Sequence, residues 1–164
     1  MKSLIESLYL TDNKSNFNNK NNCNWLQRKP LDAIKECWPD KVEIAICKRG
    51  RGEHFFLPLS DYTELLQLLG QKRETKSTII KLTGEDTLEH PYLFEMLQVN
   101  KTLGFLSELI TVGELIDLSL TQALKGLVSS VIFSVQKAEE IRPDKMDMLL
   151  QTEIKVNFTY PYAQ

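Results

Sequence analysis

The run from Ala123 to Val135, Ala-Leu-Lys-Gly-Leu-Val-Ser-Ser-Val-Ile-Phe-Ser-Val, constrains this chain more than any other segment. It has no wide polar face, so whatever it forms has to be covered on more than one side. The spacing of Thr111 and Glu114 matches a capping box, and Leu115, Leu118, Leu124, Leu127, Val128, Val131, Ile132 and Val135 follow it at helical intervals. Together they predict one long buried helix near 112–137. A sheet, other helices or a second subunit would supply its cover.

Strands are expected around that helix. Lys41–Cys47 alternates Val and Ile with smaller or polar residues, the period of a half-buried strand, and His54–Leu57 resumes extended character after two glycines. The two read as a β-hairpin. Ser77–Leu82 is a further strand. Residues 152–160 alternate most cleanly, with Ile154, Val156 and Phe158 on one side and Glu153, Lys155 and Asn157 on the other. Helices are expected at 61–69, where Asp61 and Glu64 repeat the capping spacing, after Pro91, and from Pro30 to Trp38. The pattern predicts an α+β fold: a mainly antiparallel sheet with helices packed on one face. A strand followed by a short helix occurs at 53–69 and at 77–98, which is too few units to predict a repeat architecture.

Residues 11–24 hold seven asparagines and little that could be buried, so residues 1–24 read as a flexible arm ahead of a single domain over 25–164. Cys23, Cys37 and Cys47 cannot all pair within the chain and lack zinc-knuckle spacing, which suits free thiols inside the cell, in cytoplasm or nucleus. No apolar stretch approaches the roughly 20 residues that span a bilayer, and no membrane partner is expected.

Reactive groups are few. His54 and His90 are the only histidines. A Cys47–His54 pairing across the hairpin and the acidic pairs Glu85-Asp86, Glu139-Glu140 and Asp144/Asp147 are the candidates for chemistry. Each also has a plainer reading, as a small core residue, a turn residue or a helix-end charge. Gly50-Arg51-Gly52 lacks the spacing and the strand-to-helix context of a phosphate loop. The sequence therefore nominates no catalytic residue, no metal ligand and no cofactor.

Surfaces carry the functional expectation. Residues 1–83 hold 14 Lys/Arg against 10 Asp/Glu, a net +4, and residues 84–164 hold 6 against 12, a net −6. The leading reading is a non-catalytic macromolecular binding protein, an adaptor, inhibitor or assembly subunit acting through protein–protein contacts and self-associating as a homo-oligomer such as a homodimer. The alternative is a nucleic-acid-binding module. There the basic hairpin tip would place Lys48, Arg49 and Arg51 on phosphates, Phe55 would stack on bases, and Lys72, Arg73 and Lys76 would extend the patch. An enzyme with a Cys/His or acidic-pair site is the third reading.

Overall fold

The computed structural model of the chain describes residues 39–49, 54–72, 77–137, 140 and 142–159. The expected asparagine-rich arm and the expected helix from Pro30 to Trp38 lie outside the described residues. Strand β1 (Lys41–Ala45) is the first described element, and a break at Ile46 separates it from a short antiparallel ribbon of β2 (Cys47–Arg49) and β3 (His54–Phe56). Helix α1 (Leu59–Lys72), strand β4 (Ile79–Thr83), a 3₁₀ turn (Thr87–Glu89) and helix α2 (Leu93–Thr102) follow. Then come β5 (Leu106–Thr111), α3 (Leu118–Leu124), β6 (Ser130–Ser134), α4 (Pro143–Leu150) and β7 (Lys155–Thr159).

The five long strands form one sheet in the order β1-β4-β5-β6-β7, and all four pairings are parallel. This corrects the expected α+β fold with a mainly antiparallel sheet: the protein has an α/β fold. The expectation failed because strand-level patterning does not carry direction. Direction follows from what connects the strands, and each connection here contains a helix, the crossover that parallel neighbours require.

The long helix expected near 112–137 is also absent from the structure. Residues 112–117 are a loop, α3 spans only Leu118–Leu124, and the chain turns through Gly126, at φ 73°, before entering β6. The mistake lay in the apolar run. Val128–Val135 is apolar all round because β6 lies near the middle of the sheet, with four of its five residues buried, and a buried strand matches a buried helix in periodicity over so short a length. Its β-branched content, Val131 and Ile132, decides for the strand. Thr111 ends β5 and caps no helix.

With crossovers of one hand, strands added always on the same side leave every connection on the same face of the sheet. The burial pattern agrees. Val42, Ile44, Ile80, Leu82, Leu109, Val131 and Phe133 form one buried cluster with Tyr62 and Leu66 of α1, Met96 and Leu97 of α2, Leu124 of α3 and Leu149 of α4. The alternate positions Ile79, Leu106, Ile110 and Ile132 face the other way and take no part in it. Residues in register along the sheet recur at Lys81, Glu108, Ser130 and Lys155, 27, 22 and 25 positions apart. A strand–helix unit of roughly constant length thus repeats, the building principle of solenoids. It was hidden in the sequence because the ribbon lengthens the first unit and the misread helix swallowed another.

One polar chain crosses the buried layer. The Tyr62 hydroxyl donates to Asn100 Oδ1 at 2.5 Å, and Asn100 Nδ2 donates to Ser107 Oγ at 2.9 Å, joining α1, α2 and β5. Tyr62 and Asn100 have no exposed surface, and burial pushes the Tyr62 phenol up, so it stays a neutral donor. Removing the middle member strands both ends. Asn100→Ala is expected to cost about 2–4 kcal/mol in urea unfolding, and Tyr62→Phe, which strands only one acceptor, about 1–2 kcal/mol. Equal costs for the two would show that the chain is not a relay through Asn100.

Candidate functional site

Open parallel sheets place their binding crevices beyond the carboxyl ends of the strands. Here those ends gather the β2–β3 ribbon, the loop 84–92 and the loop 112–117. The ribbon is moored to the sheet: Ile46 N–H donates to Thr83 O at 2.9 Å and Leu57 N–H to Ile46 O at 2.8 Å. Gly84 makes the close approach possible. It sits at φ 146°, and a Cβ there would lie 2.3 Å from Cys47 Sγ. Gly113, at φ 87°, likewise leaves room for the Phe133 ring, 2.4 Å from where its Cβ would be.

Asp86 is the hub of this end. Its carboxylate oxygen Oδ1 accepts from Leu88 N–H at 3.0 Å and from the Thr111 hydroxyl at 2.9 Å, and its backbone carbonyl accepts the Cys47 thiol at 3.2 Å. Thr111 Oγ1 accepts in turn from Gly113 N–H, and the Thr87 hydroxyl donates to Ile110 O. Three chain segments are therefore tied through one residue, Cys47 by its backbone carbonyl and Thr111 by its carboxylate. Burial pushes the Asp86 carboxyl up, with a smaller contribution from the negative charges of Glu89 and Glu114.

His90 is equally committed. Its Nδ1 accepts from Tyr92 N–H at 3.1 Å, which puts the ring proton on Nε2, 3.1 Å from Leu57 O. Phe56 meets the ring edge-on at 5.2 Å. Burial lowers the His90 pKa, so the neutral imidazole is the native form.

The sequence candidates Cys47, His54 and Glu85-Asp86 are thus brought to one end of the sheet, with Thr111, Gly113 and His90 beside them. They do not form a nucleophile and its base. Burial raises the Cys47 pKa, the opposite of thiolate activation, and its proton points at a carbonyl. Cys47 and His54 share a face of the ribbon but sit two positions out of register, and His54 Nδ1 lies 3.6 Å from Glu89 Oε2. Among the described residues no three His, Cys, Asp or Glu side chains gather as a metal site. The Asp86–Leu88 contact is a short-range turn signal readable from sequence; the Thr111 contact links residues 25 apart and is not.

The residues expected to touch nucleic acid are divided. Lys48 and Phe55 are register partners on the outer face of the ribbon, both exposed. Arg49, the last residue of β2, is the register partner of His54 in β3, and Lys72 is the last residue of α1. Arg51, Arg73 and Lys76 lie outside the described residues.

Sequence reasoning missed the second surface, the sheet face away from the helices. In-register neighbours Glu43, Lys81, Glu108, Ser130 and Lys155 run across all five strands. Lys81 pairs with Glu43 at 3.1 Å, and Lys41 reaches over β4 to Glu108 at 2.7 Å. Beside this row sit Leu106, 46% exposed, and the half-buried Ile110. The Ser130 hydroxyl is the one buried side-chain polar atom among the described residues with no hydrogen-bond partner.

No protein-family model matches the chain, and no curated protein matches it. No helix among the described residues is long and apolar enough to cross a membrane.

Because the unfolded chain protonates His90 before the folded one does, stability present above about pH 6.5 is lost as pH falls below it. Urea unfolding at pH 7.5 and at pH 5.5 is expected to show a larger acid loss in the wild type than in His90→Gln, by at most about 1.4 kcal/mol per pH unit for one proton. Parallel pH profiles in the two proteins would remove His90 as the cause.

Proposed function

We propose that this protein is a non-catalytic binding protein that acts through protein–protein contacts, with the sheet face on which none of the described helices packs as the contact surface. The observation that carries the reading is a sheet face on which none of the described helices packs, where Leu106 and Lys155 are exposed while Glu108, Ser130 and Ile132 are buried. Parallel sheets are ordinarily covered on both faces, and here the described helices all pack on one. The other face carries aliphatic side chains among paired charges, the mixture that gives an interface both desolvation and register. Solenoids present such surfaces to macromolecules. The chemistry at the carboxyl ends supports the same conclusion from the other side, since its thiol, imidazole and carboxylate are occupied in holding the loops. A buried free thiol at Cys47 fits a reducing setting inside the cell, cytoplasm or nucleus.

Nucleic-acid binding has one supporting observation, the exposed Lys48–Phe55 pair on the ribbon. The loops beside that ribbon carry Glu85, Asp86 and Glu89 with no lysine or arginine from 84 to 92, which would repel phosphates.

A homo-oligomer is the simplest form of the proposed contact, and light scattering over a rising concentration series tests it together with affinity capture of partner proteins. The full chain is expected to self-associate or to retain a protein in stoichiometric amount. The doubly exposed-face variant Leu106→Glu, Lys155→Glu is expected to weaken that contact by about tenfold or more, equivalent to about 1.4 kcal/mol. A monomer that captures no protein, or a contact indifferent to both substitutions, overturns the reading. Salt-sensitive retention of RNA or DNA in place of protein would select the nucleic-acid alternative.

A further inference from the structure

The last described strand, β7, leaves one side of the sheet open. Along a strand the N–H and C=O of one residue point the same way, and the direction alternates from residue to residue. Lys155 N–H donates to Ser129 O and Thr159 O accepts from Val135 N–H, so residues 155, 157 and 159 are turned toward β6. Val156 and Phe158 turn their amides and carbonyls outward, where no described strand meets them. An unpaired row of this kind is a template for another strand.

The side chains at this end are those of an inner unit and not of a cap. In a stack of strand–helix units the outermost one needs a polar outer side. Here Phe158 is 37% exposed although its ring stacks on Phe133 at 5.9 Å, and Leu150, the last residue of the helix packed against β7, is 55% exposed. The strand also lacks the guards that commonly blunt an edge: Lys155–Thr159 holds no proline and a single charge, Lys155. The strand at the opposite side, β1, carries both Lys41 and Glu43.

We propose that β7 pairs antiparallel with β7 of a second copy of this chain, about a two-fold axis at Asn157. The strand's own sequence selects that occupant. With the axis there, every residue of the strand is opposed: Val156 faces the partner's Phe158, Lys155 faces the partner's Thr159, and Asn157 faces its own copy. The outward groups of Val156 and Phe158 then make the hydrogen-bonded pairs, and Asn157 occupies a non-hydrogen-bonded pair between them. An aromatic opposite a β-branched residue is a favourable cross-strand pair, and no like charges are opposed within the strand. A two-fold contact also closes on itself, whereas β7 set against β1 of another copy would build an open filament. The axis stands perpendicular to the sheet, so Lys155, Asn157 and Thr159 of both copies share one side. Two five-stranded sheets become one continuous surface. The pairing does not rest on that surface being a contact site.

The test is light scattering and non-reducing electrophoresis of the full chain. The wild type is expected to reach a dimer as concentration rises. Asn157→Lys and Asn157→Glu each put like charges face to face across the axis and are each expected to weaken the dimer about fivefold. Mixing the two variants in equal amounts restores it, because opposite charges then meet. Asn157 is exposed, so circular dichroism melts of both should match the wild type. Under oxidation Asn157→Cys is expected to give far more disulfide-linked dimer than the wild type or Lys155→Cys, since only position 157 meets its own copy, at about 4.5 Å between Cα atoms. Val156→Pro removes an outward amide, leaves the β6 ladder intact and is expected to abolish the dimer. A monomer throughout the series, growth past the dimer, no recovery on mixing, or equal cross-linking through Lys155→Cys overturns the proposal. A dimer that Leu106→Glu dissociates and the Asn157 substitutions leave intact also overturns it and assigns the contact to the sheet face. The reverse pattern upholds the edge pairing, and the sheet face keeps its separate test in Leu106→Glu.

Discussion

A strand that runs parallel to its neighbour cannot reach it through a tight turn, and every other feature of this protein follows from that geometrical demand. The chain has to travel back along the sheet after each strand, and it does so as α1, α2, α3 and α4. Each return helix needs an apolar stripe for the sheet and each strand an apolar side for the helix, which is why Leu66, Met96, Leu124 and Leu149 meet Ile80, Leu82, Leu109 and Val131 in one cluster. Because all these returns lie on one side, the loops at the carboxyl ends converge, and none of the described helices packs on the opposite face, which carries polar and mixed side chains. Both surfaces considered for binding are by-products of the same connection rule.

The loops at the carboxyl ends show how residues that look catalytic can be used for construction. A thiol, two imidazoles and several carboxylates lie within a few residues of one another in space. Their proton positions decide their use. The Cys47 proton is given to a carbonyl, the His90 proton points at another carbonyl while the second ring nitrogen accepts an amide, and the Asp86 carboxylate accepts an amide and a hydroxyl. Groups whose donors and acceptors are already matched to backbone have little left to offer a substrate.

Local elements were well marked in the sequence, and global arrangement was not. The helix around Leu65 and Leu69, the helix after Pro91 and the strands near Val42, Ile80 and Val156 sit where residue periodicity puts them, but the expected hairpin of 41–47 with 54–57 does not form: β1 pairs in parallel with β4, and only Cys47–Arg49 runs back against His54–Phe56. Strand β5 carries an acid, Glu108, in its middle, so Leu106–Thr111 did not read as a strand; the structure shows that this acid is answered by Lys41 from across the sheet. That pairing joins residues 67 apart and leaves no local trace. Strand β6 failed for the opposite reason, being too uniformly apolar to show a period. Of the site, the residue types at Cys47, His54 and Asp86 were visible in advance. Their convergence was not, because it depends on the direction of strands whose sequence is the same read as parallel or antiparallel partners.

The stacking of units has a mechanical meaning. In the backbone ladder each long strand pairs only with its immediate neighbours, so three strands stand between β1 and β7. In such a quasi-linear array, cooperativity is a nearest-neighbour property: a disturbance at α4 is attenuated at every interface it crosses, and melting can start at one end while the other stays ordered. The ribbon between β1 and α1 is bonded to Thr83 as well as to its own strand, which gives the β1 end a clasp across the first interface. At the β7 end the Lys145 ammonium of α4 donates to the Ile116 carbonyl in the loop after β5, so each end of the array is tied back to a unit further in.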